Sequence, residues 1–166
     1  FTQSQINHLK ICYMPTIIES GISKRIIFFY FTVEDMHENT LNNERFVITI
    51  YPVDNKPPRV KSRGFRVLEN EEFAINQNVL NINDPDTDNS LLKVIITRLP
   101  KHGILKKFQQ PLIQNDNLTL SDIMSGNIIY KNSGSEATED SFYVYVTDGI
   151  HHVPVAIPIK IDPVDD

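Results

Sequence analysis

Val153-Pro154-Val155-Ala156-Ile157-Pro158-Ile159-Lys160-Ile161 is the stretch that decides the fold. Every second residue is a branched aliphatic, and the residues between are proline, alanine or lysine. A period of two puts Val153, Val155, Ile157, Ile159 and Ile161 on one face of an extended strand. The outward prolines bring no ladder donor, which fits a strand at a sheet edge. Two further runs share the period: Phe142, Val144 and Val146 face in with Tyr143 and Tyr145 outward, and Leu92, Val94 and Ile96 face in along a third strand. Turn chemistry separates them, with Asp84-Pro85-Asp86-Thr87-Asp88-Asn89 ahead of the Leu92 run, Pro100-Lys101-His102-Gly103 behind it, and Asp148-Gly149 after the Phe142 run. A helical pattern is confined to one turn at residues 118–125, where Thr119 or Ser121 supplies the cap. About seven strands at these spacings predict an all-β, antiparallel β-sandwich.

The landmarks occur twice. Ser4-Gln5-Ile6 and Ile11-Cys12-Tyr13 recur, at a constant offset, as Ser121-Asp122-Ile123 and Ile128-Ile129-Tyr130. Phe29-Tyr30-Phe31-Thr32-Val33-Glu34-Asp35 recurs as Phe142-Tyr143-Val144-Tyr145-Val146-Thr147-Asp148, and Pro52-Val53-Asp54-Asn55 as Pro163-Val164-Asp165-Asp166. In the first copy the run from Phe46 to Ile50 places Phe46, Ile48 and Ile50 inward. So long a period is domain-sized rather than that of a solenoid. Residues 1–55 therefore read as the C-terminal part of one module and residues 56–166 as a complete one, joined near Pro57-Pro58. The complete copy can bury its own core without metal or disulfide. The leading part lacks the first strands of its copy, and its open sheet edges make it the less stable piece.

Sixteen basic and 21 acidic residues give a net charge of −5, which argues against nucleic acid or an anionic membrane as partner. The most apolar stretch, Ile26 to Phe31, is strand-sized, so no membrane insertion of this segment is expected. Cys12 is the one cysteine; it stands where Ile129 stands in the second copy and reads as a small buried residue on a strand. There is no Gly-x-Ser-x-Gly elbow, no Gly-rich phosphate loop and no Trp, and no enzyme is expected. His102 reads as structural, its imidazole capping a hairpin in which Gly103 takes a positive φ. His151 and His152 are adjacent, point to opposite faces of a strand and read as a solvated loop rather than a zinc site. Asn117-Leu118-Thr119 is an N-glycosylation sequon following the polar Gln114-Asn115-Asp116, which marks Asn117 as a glycan acceptor on an exposed loop.

Taken in order, these landmarks resemble the chondroitin-sulfate-proteoglycan (CSPG) repeat, a cadherin-related module. The series runs Asp84-Pro85-Asp86, the strand from Leu91 to Leu99, Pro100-Lys101-His102-Gly103, Leu118 to Ile123, Tyr130 before Gly134-Ser135, and Phe142 to Gly149. The resemblance implies a cadherin-like or Ig-like sandwich, one complete repeat preceded by a partial one. The linker Pro52-Val53-Asp54-Asn55-Lys56-Pro57-Pro58 is similar to those of the FRAS/FREM-type extracellular matrix proteins. That implies a secreted or cell-surface basement-membrane component supporting epithelial–mesenchymal adhesion, with extracellular matrix proteins or sister family members as partners. The alternative is a calcium-rigidified recognition module of a cell-surface receptor or proteoglycan. A third reading, a catalytic sandwich, would show a deep pocket with converging carboxylates.

The same resemblance implies calcium, and no other cofactor. Cadherin modules hold it with an Asp-x-Asn-Asp-Asn linker, an Asp-x-Asp turn and a strand-end Asp. The matching residues are Asp54, Asn55, Asp84, Asp86 and Asp148, while Tyr51 and Val53 replace two linker ligands. Calcium takes six to eight oxygens, so this reduced set implies weak binding. The competing reading is that Asp84, Asp86 and Asp88 only build Asx-turns.

Overall fold

In the computed structural model the alternating run becomes one arm of a long hairpin. His152–Asp162 (β13) pairs antiparallel with Glu139–Thr147 (β12), from Glu139 opposite Lys160 to Thr147 opposite His152. Phe142, Val144, Val146, Ile157, Ile159 and Ile161 are buried, and Val153 and Val155 are half-buried. Tyr143 and Tyr145 lie on the other face, where the Arg98 guanidinium sits 3.8 Å from the Tyr143 ring centre. The strand is not the expected edge. Phe65–Leu68 (β4) runs parallel to it from Ile159 to Asp162. Pro154 and Pro158 precede that paired stretch, so their missing N–H groups take nothing from the β4 ladder.

The described residues are 1–15 and 21–164, and they form two units, Phe1–Pro52 and Val53–Asp166. Among its described residues the second unit holds eleven strands rather than seven, because several are too short to show as periodic runs. They are Arg59–Ser62 (β3), β4, Glu72–Ile75 (β5), Leu80–Asn83 (β6), Lys93–Arg98 (β7), Gly103–Lys107 (β8), Gln110–Pro111 (β9), Asn117–Thr119 (β10), Ile128–Asn132 (β11), β12 and β13. One sheet has the order β10-β7-β12-β13-β4 and the other β5-β11-β8-β9, with β3 and β6 as a separate pair. Every pairing is antiparallel except β13 with β4. Val94 and Ile96 from one sheet, Leu92 just ahead of β7, and Ile75, Leu105, Ile128 and Tyr130 from the other sheet form a common core. This is the layered, apolar-inside arrangement of a β-sandwich.

Tyr130 fixes the far end of that core. Its ring is wholly buried and lies edge-on to Phe65 at 5.7 Å. Its hydroxyl donates to Asp140 Oδ2 at 3.0 Å, and the same carboxylate accepts the N–H groups of Lys101 and His102, both at 2.9 Å. Gly103 is not in the positive-φ region. Glycine is required there because a Cβ would lie 2.5 Å from the Tyr130 ring and 2.6 Å from the Lys131 carbonyl. The His102 ring meets Ser135 Oγ at 3.2 Å, a structural role.

The first unit, like the second, carries a five-residue helix and a long hairpin. Gln3–Asn7 (α1) and Leu120–Met124 (α2) are five-residue helices at equivalent positions. Thr2 with Gln5 and Thr119 with Asp122 form a capping box on each. Arg25–Glu34 (β1) and Thr40–Ile50 (β2) form a hairpin with Phe29 opposite Phe46 and Ile27 opposite Ile48. Two expectations fail here for one reason. Ile11 to Tyr13 forms no strand, and Phe46 is 52% exposed rather than inward. Among the described residues of this unit, no second sheet lies over the hairpin face. Phe29, Phe31, Phe46 and Ile48 instead line an open apolar groove of about 450 Å³ with Ile6, Ile11 and Tyr13. Cys12 lines it too and is exposed, not a buried strand residue. The repeat of Asp54-Asn55 at Asp165-Asp166 lies outside the described residues.

Candidate metal centre

Three loops bring acidic side chains to one pole of the second unit. Asp84 and Asp86 follow the end of β6, Asp148 follows the end of β12, and Asp54-Asn55 lies a few residues ahead of β3. Turn geometry accounts for only some of their oxygens. Asp84 Oδ1 accepts the N–H groups of Asp86 at 2.9 Å and Thr87 at 2.8 Å, an Asx-turn. Its Oδ2 is buried without a partner. Asp86 Oδ2 accepts the Asn55 N–H at 3.1 Å, and its Oδ1 is likewise buried and unpartnered, as are Asp54 Oδ1 and Thr87 Oγ1. Asp88 is wholly a turn residue, accepting Ser90 N–H at 2.8 Å and Ser90 O–H at 2.6 Å.

Asp148 anchors the other side. Its side chain is 0% exposed; Oδ1 accepts the N–H groups of Ile150 at 2.7 Å and His151 at 2.6 Å, and Oδ2 lies 2.8 Å from His151 Nδ1. The same imidazole nitrogen is 3.9 Å from Asp54 Oδ1. One ligand atom each from Asp54, Asp148 and His151 fall within 4.8 Å of one another.

The electrostatics follow from this packing. Burial raises the Asp84 carboxyl above the usual carboxylate range, and the adjoining Asp86 carboxylate adds to the rise. Burial also acts to raise Asp148, but the N–H groups of His151 and Ile150 and the His151 ring hold it below its ordinary value. His151 is raised, first by its bond to Asp148, against some burial, and then by the charges of Asp148, Asp54 and Asp86. An unsatisfied buried polar group costs about 1–3 kcal/mol, more when charged. Four such oxygens lie at this pole, three on carboxylates and one the Thr87 hydroxyl, and each has a lone pair to offer. Hard divalent cations accept such lone pairs, so the donor set fits calcium.

The sequence-derived residues are distributed as follows. Asp54 and Asp148 come together with His151, and Asp86 reaches the same linker through the Asn55 N–H, with Asp84 beside Asp86. Asn55 joins through its backbone N–H, and the residue is exposed. His151, read as a solvated loop residue, is half-buried among the carboxylates. Thr87 was not anticipated either. The signal for His151 was its place three residues beyond the strand-end Asp148. Asn117 is exposed at the start of β10, and the Thr119 hydroxyl of its sequon donates to Asp122 Oδ2 at 2.8 Å. A separate open cleft of about 420 Å³ has Glu139 and Asp140 on its wall, but Asp140 is engaged by the Lys101–Tyr130 network.

A cadherin-like sandwich with acidic loops at one pole is the class that the fold and site define. The chain belongs to that class by sequence as well: residues 57–161 match the Cadherin-like family. Over all 166 residues it is 37% identical to Extracellular matrix protein 3 of Lytechinus variegatus. It is 36% identical to FRAS1-related extracellular matrix protein 2 of Homo sapiens and 30% to FRAS1-related extracellular matrix protein 1 of Homo sapiens, again over its full length. It spans 5%, 5% and 8% of those proteins respectively. The resemblance to FRAS/FREM-type matrix proteins thus extends through both units, and the receptor alternative is not favoured. No helix among the described residues is long and apolar enough to cross a membrane.

Proposed function

We propose that this chain is a non-enzymatic structural and adhesion module of an extracellular, basement-membrane type matrix protein, and that its acidic pole binds calcium. Residues 1–55 are the C-terminal part of one repeat and residues 56–166 a complete repeat. The observation that carries the calcium reading is the set of buried oxygens without partners on Asp54, Asp84, Asp86 and Thr87. Asp84 is held by two backbone N–H groups, so its free Oδ2 is oriented before any ion arrives, and Asp148 Oδ1 is fixed in the same way while its Oδ2 meets His151 Nδ1. Asp86 holds the linker through the Asn55 N–H. Bound calcium supplies the positive charge that offsets the mutual repulsion of these carboxylates. In an array of such repeats this fastens the linker to the module and limits bending, leaving the sandwich faces for matrix proteins or sister family members. Asn117 carries the glycan.

Two linker oxygens are missing at Tyr51 and Val53, so the expected dissociation constant is roughly 10⁻⁴–10⁻³ M, the range of extracellular modules. At ten times that concentration, linkage adds about 1.4 kcal/mol to the stability of the second unit. Thermal melts in millimolar calcium and in chelator test this, repeated with Asp86→Ala. A calcium-dependent rise in the wild type that the variant loses supports the site; superimposable wild-type curves leave the aspartates as turn residues. Secretion from glycosylating cells with and without Asn117→Gln reports the glycan as a mass difference.

A further inference from the structure

We propose that Asp54, Asp148 and His151 form a nitrogen-containing subsite that holds a zinc-class divalent cation, sharing Asp54 and Asp148 with the donors assigned to calcium. The proposal rests on the reading that this pole is a metal centre and concerns which ions it accepts.

The donor chemistry separates the two. Calcium draws on six to eight oxygens, whereas zinc takes imidazole nitrogen and carboxylate oxygen at about 2.0–2.2 Å in tetrahedral sites. Donors around a tetrahedral zinc are therefore roughly 3.3 Å apart. His151 Nδ1 lies 2.8 Å from Asp148 Oδ2 and 3.9 Å from Asp54 Oδ1, two edges on either side of that value. Small movements of the Asp54 loop bring them to it. His151 and Asp54 are partly exposed, at 31% and 23% of their side chains, which leaves a fourth position for water. Asp148, fixed by two N–H groups, supplies the rigid corner.

One of the three donors carries its own mark of a ligand: Asp54 Oδ1 is buried without a hydrogen-bond partner. The three ligand atoms lie within 4.8 Å of one another. The first unit shows what the nitrogen adds. Asp35, the equivalent of Asp148, accepts the N–H groups of His37 at 2.8 Å and Asn39 at 2.9 Å, and the Asn39 amide meets its second oxygen at 2.8 Å. An amide offers a metal only oxygen; the imidazole that meets Asp148 offers nitrogen, which shifts preference toward zinc.

The test uses the full chain stripped with chelator and titrated separately with zinc and calcium by calorimetry. Cobalt serves as a spectroscopic substitute whose visible absorption reports a nitrogen–oxygen tetrahedral site. Zinc and cobalt are expected to bind once per chain at this pole. His151→Asn, and independently His151→Gln, should weaken zinc by at least about tenfold, since even supporting residues of metal sites commonly cost that much. The control His152→Asn should leave zinc binding unchanged, and calcium binding should survive both His151 substitutions while Asp84→Asn reduces it. Zinc affinity untouched by both His151 substitutions overturns the proposal, as does a wild type that binds calcium but not zinc, which leaves the calcium reading standing. Zinc binding without calcium binding supports the nitrogen subsite and overturns the calcium reading. Failure of both ions overturns both.

Discussion

Phe29 faces Phe46 across β1 and β2 as Phe142 faces Ile157 across β12 and β13. Each hairpin follows a five-residue helix opened by a threonine capping box. The side chains fare differently: Phe29 and Phe46 are 44% and 52% exposed, Phe142 and Ile157 3% and 0%. The two units therefore separate what local chemistry does from what packing does. Capping, alternation and cross-strand pairing set the helix turn and the register in both. Burial of the inward face is a further step that needs the opposing sheet, present in the second unit as β5, β11, β8 and β9. The larger share of stability belongs to that step.

The strongest challenge to this contrast is truncation at equivalent positions. Phe142→Ala removes a buried ring and should destabilise the second unit by about 3–5 kcal/mol. Phe29→Ala removes a half-exposed ring whose main partner is Phe46, stacked at 5.3 Å, and should cost no more than about 1 kcal/mol. Denaturant unfolding followed by probes in each unit measures both. Equal losses would mean that the first hairpin already has a core of its own.

A second, smaller effect sharpens the role of close packing. Gly103→Ala should cost about 1–3 kcal/mol, because the new methyl meets the Tyr130 ring and the fixed Lys131 carbonyl together. The first unit has no β8 equivalent among its described residues, so the same conflict does not arise there. An unchanged midpoint for this variant would show that Tyr130 can move, and the Asp140 network with it.

What could be read in advance follows the same division. The faces of β7, β12 and β13 were legible because alternation is a local property, and the Thr119 cap because its partner is three residues away. The place of β13 inside its sheet was not, since the parallel strand β4 comes from the far end of the module and leaves no mark in the β13 sequence. The need for Gly103 was legible, but not its cause: a positive φ is a local reason for glycine, whereas an approaching ring is a tertiary one. The aspartates of the pole stood out as turn residues in family-like positions. His151 did not, because its role depends on Asp54, which is distant in sequence and reaches it only in the folded unit.

The smallest expected effect, and the most selective, concerns the two capping boxes. The α2 box uses Asp122, whose Oδ2 accepts the Thr119 N–H at 2.9 Å and hydroxyl at 2.8 Å and pairs with Lys107 Nζ at 2.8 Å. The α1 box uses Gln5, whose Oε1 accepts the Thr2 N–H at 2.9 Å and which has no charge to lose. Burial acts to raise the Asp122 carboxyl, but Lys107 and the Thr119 donors outweigh it and hold the group below its ordinary value of 3.8. A depressed folded-state value means that the unfolded chain binds the proton more readily. The contribution of Asp122 is therefore complete above pH 3.8 and is lost as pH falls through the lower folded-state value. Asp122→Gln gives α2 the neutral box of α1, so comparing it with the wild type isolates this one titration from the other carboxylates. At neutral pH the substitution should cost about 0.5–1 kcal/mol, since the partly exposed Lys107 loses its partner. The gap should close as the pH is lowered past the folded-state value, and Gln5→Ala should show a small loss of the same size at every pH. A wild-type advantage that stays constant into acid would mean that shape, and not charge, holds Asp122 in the box.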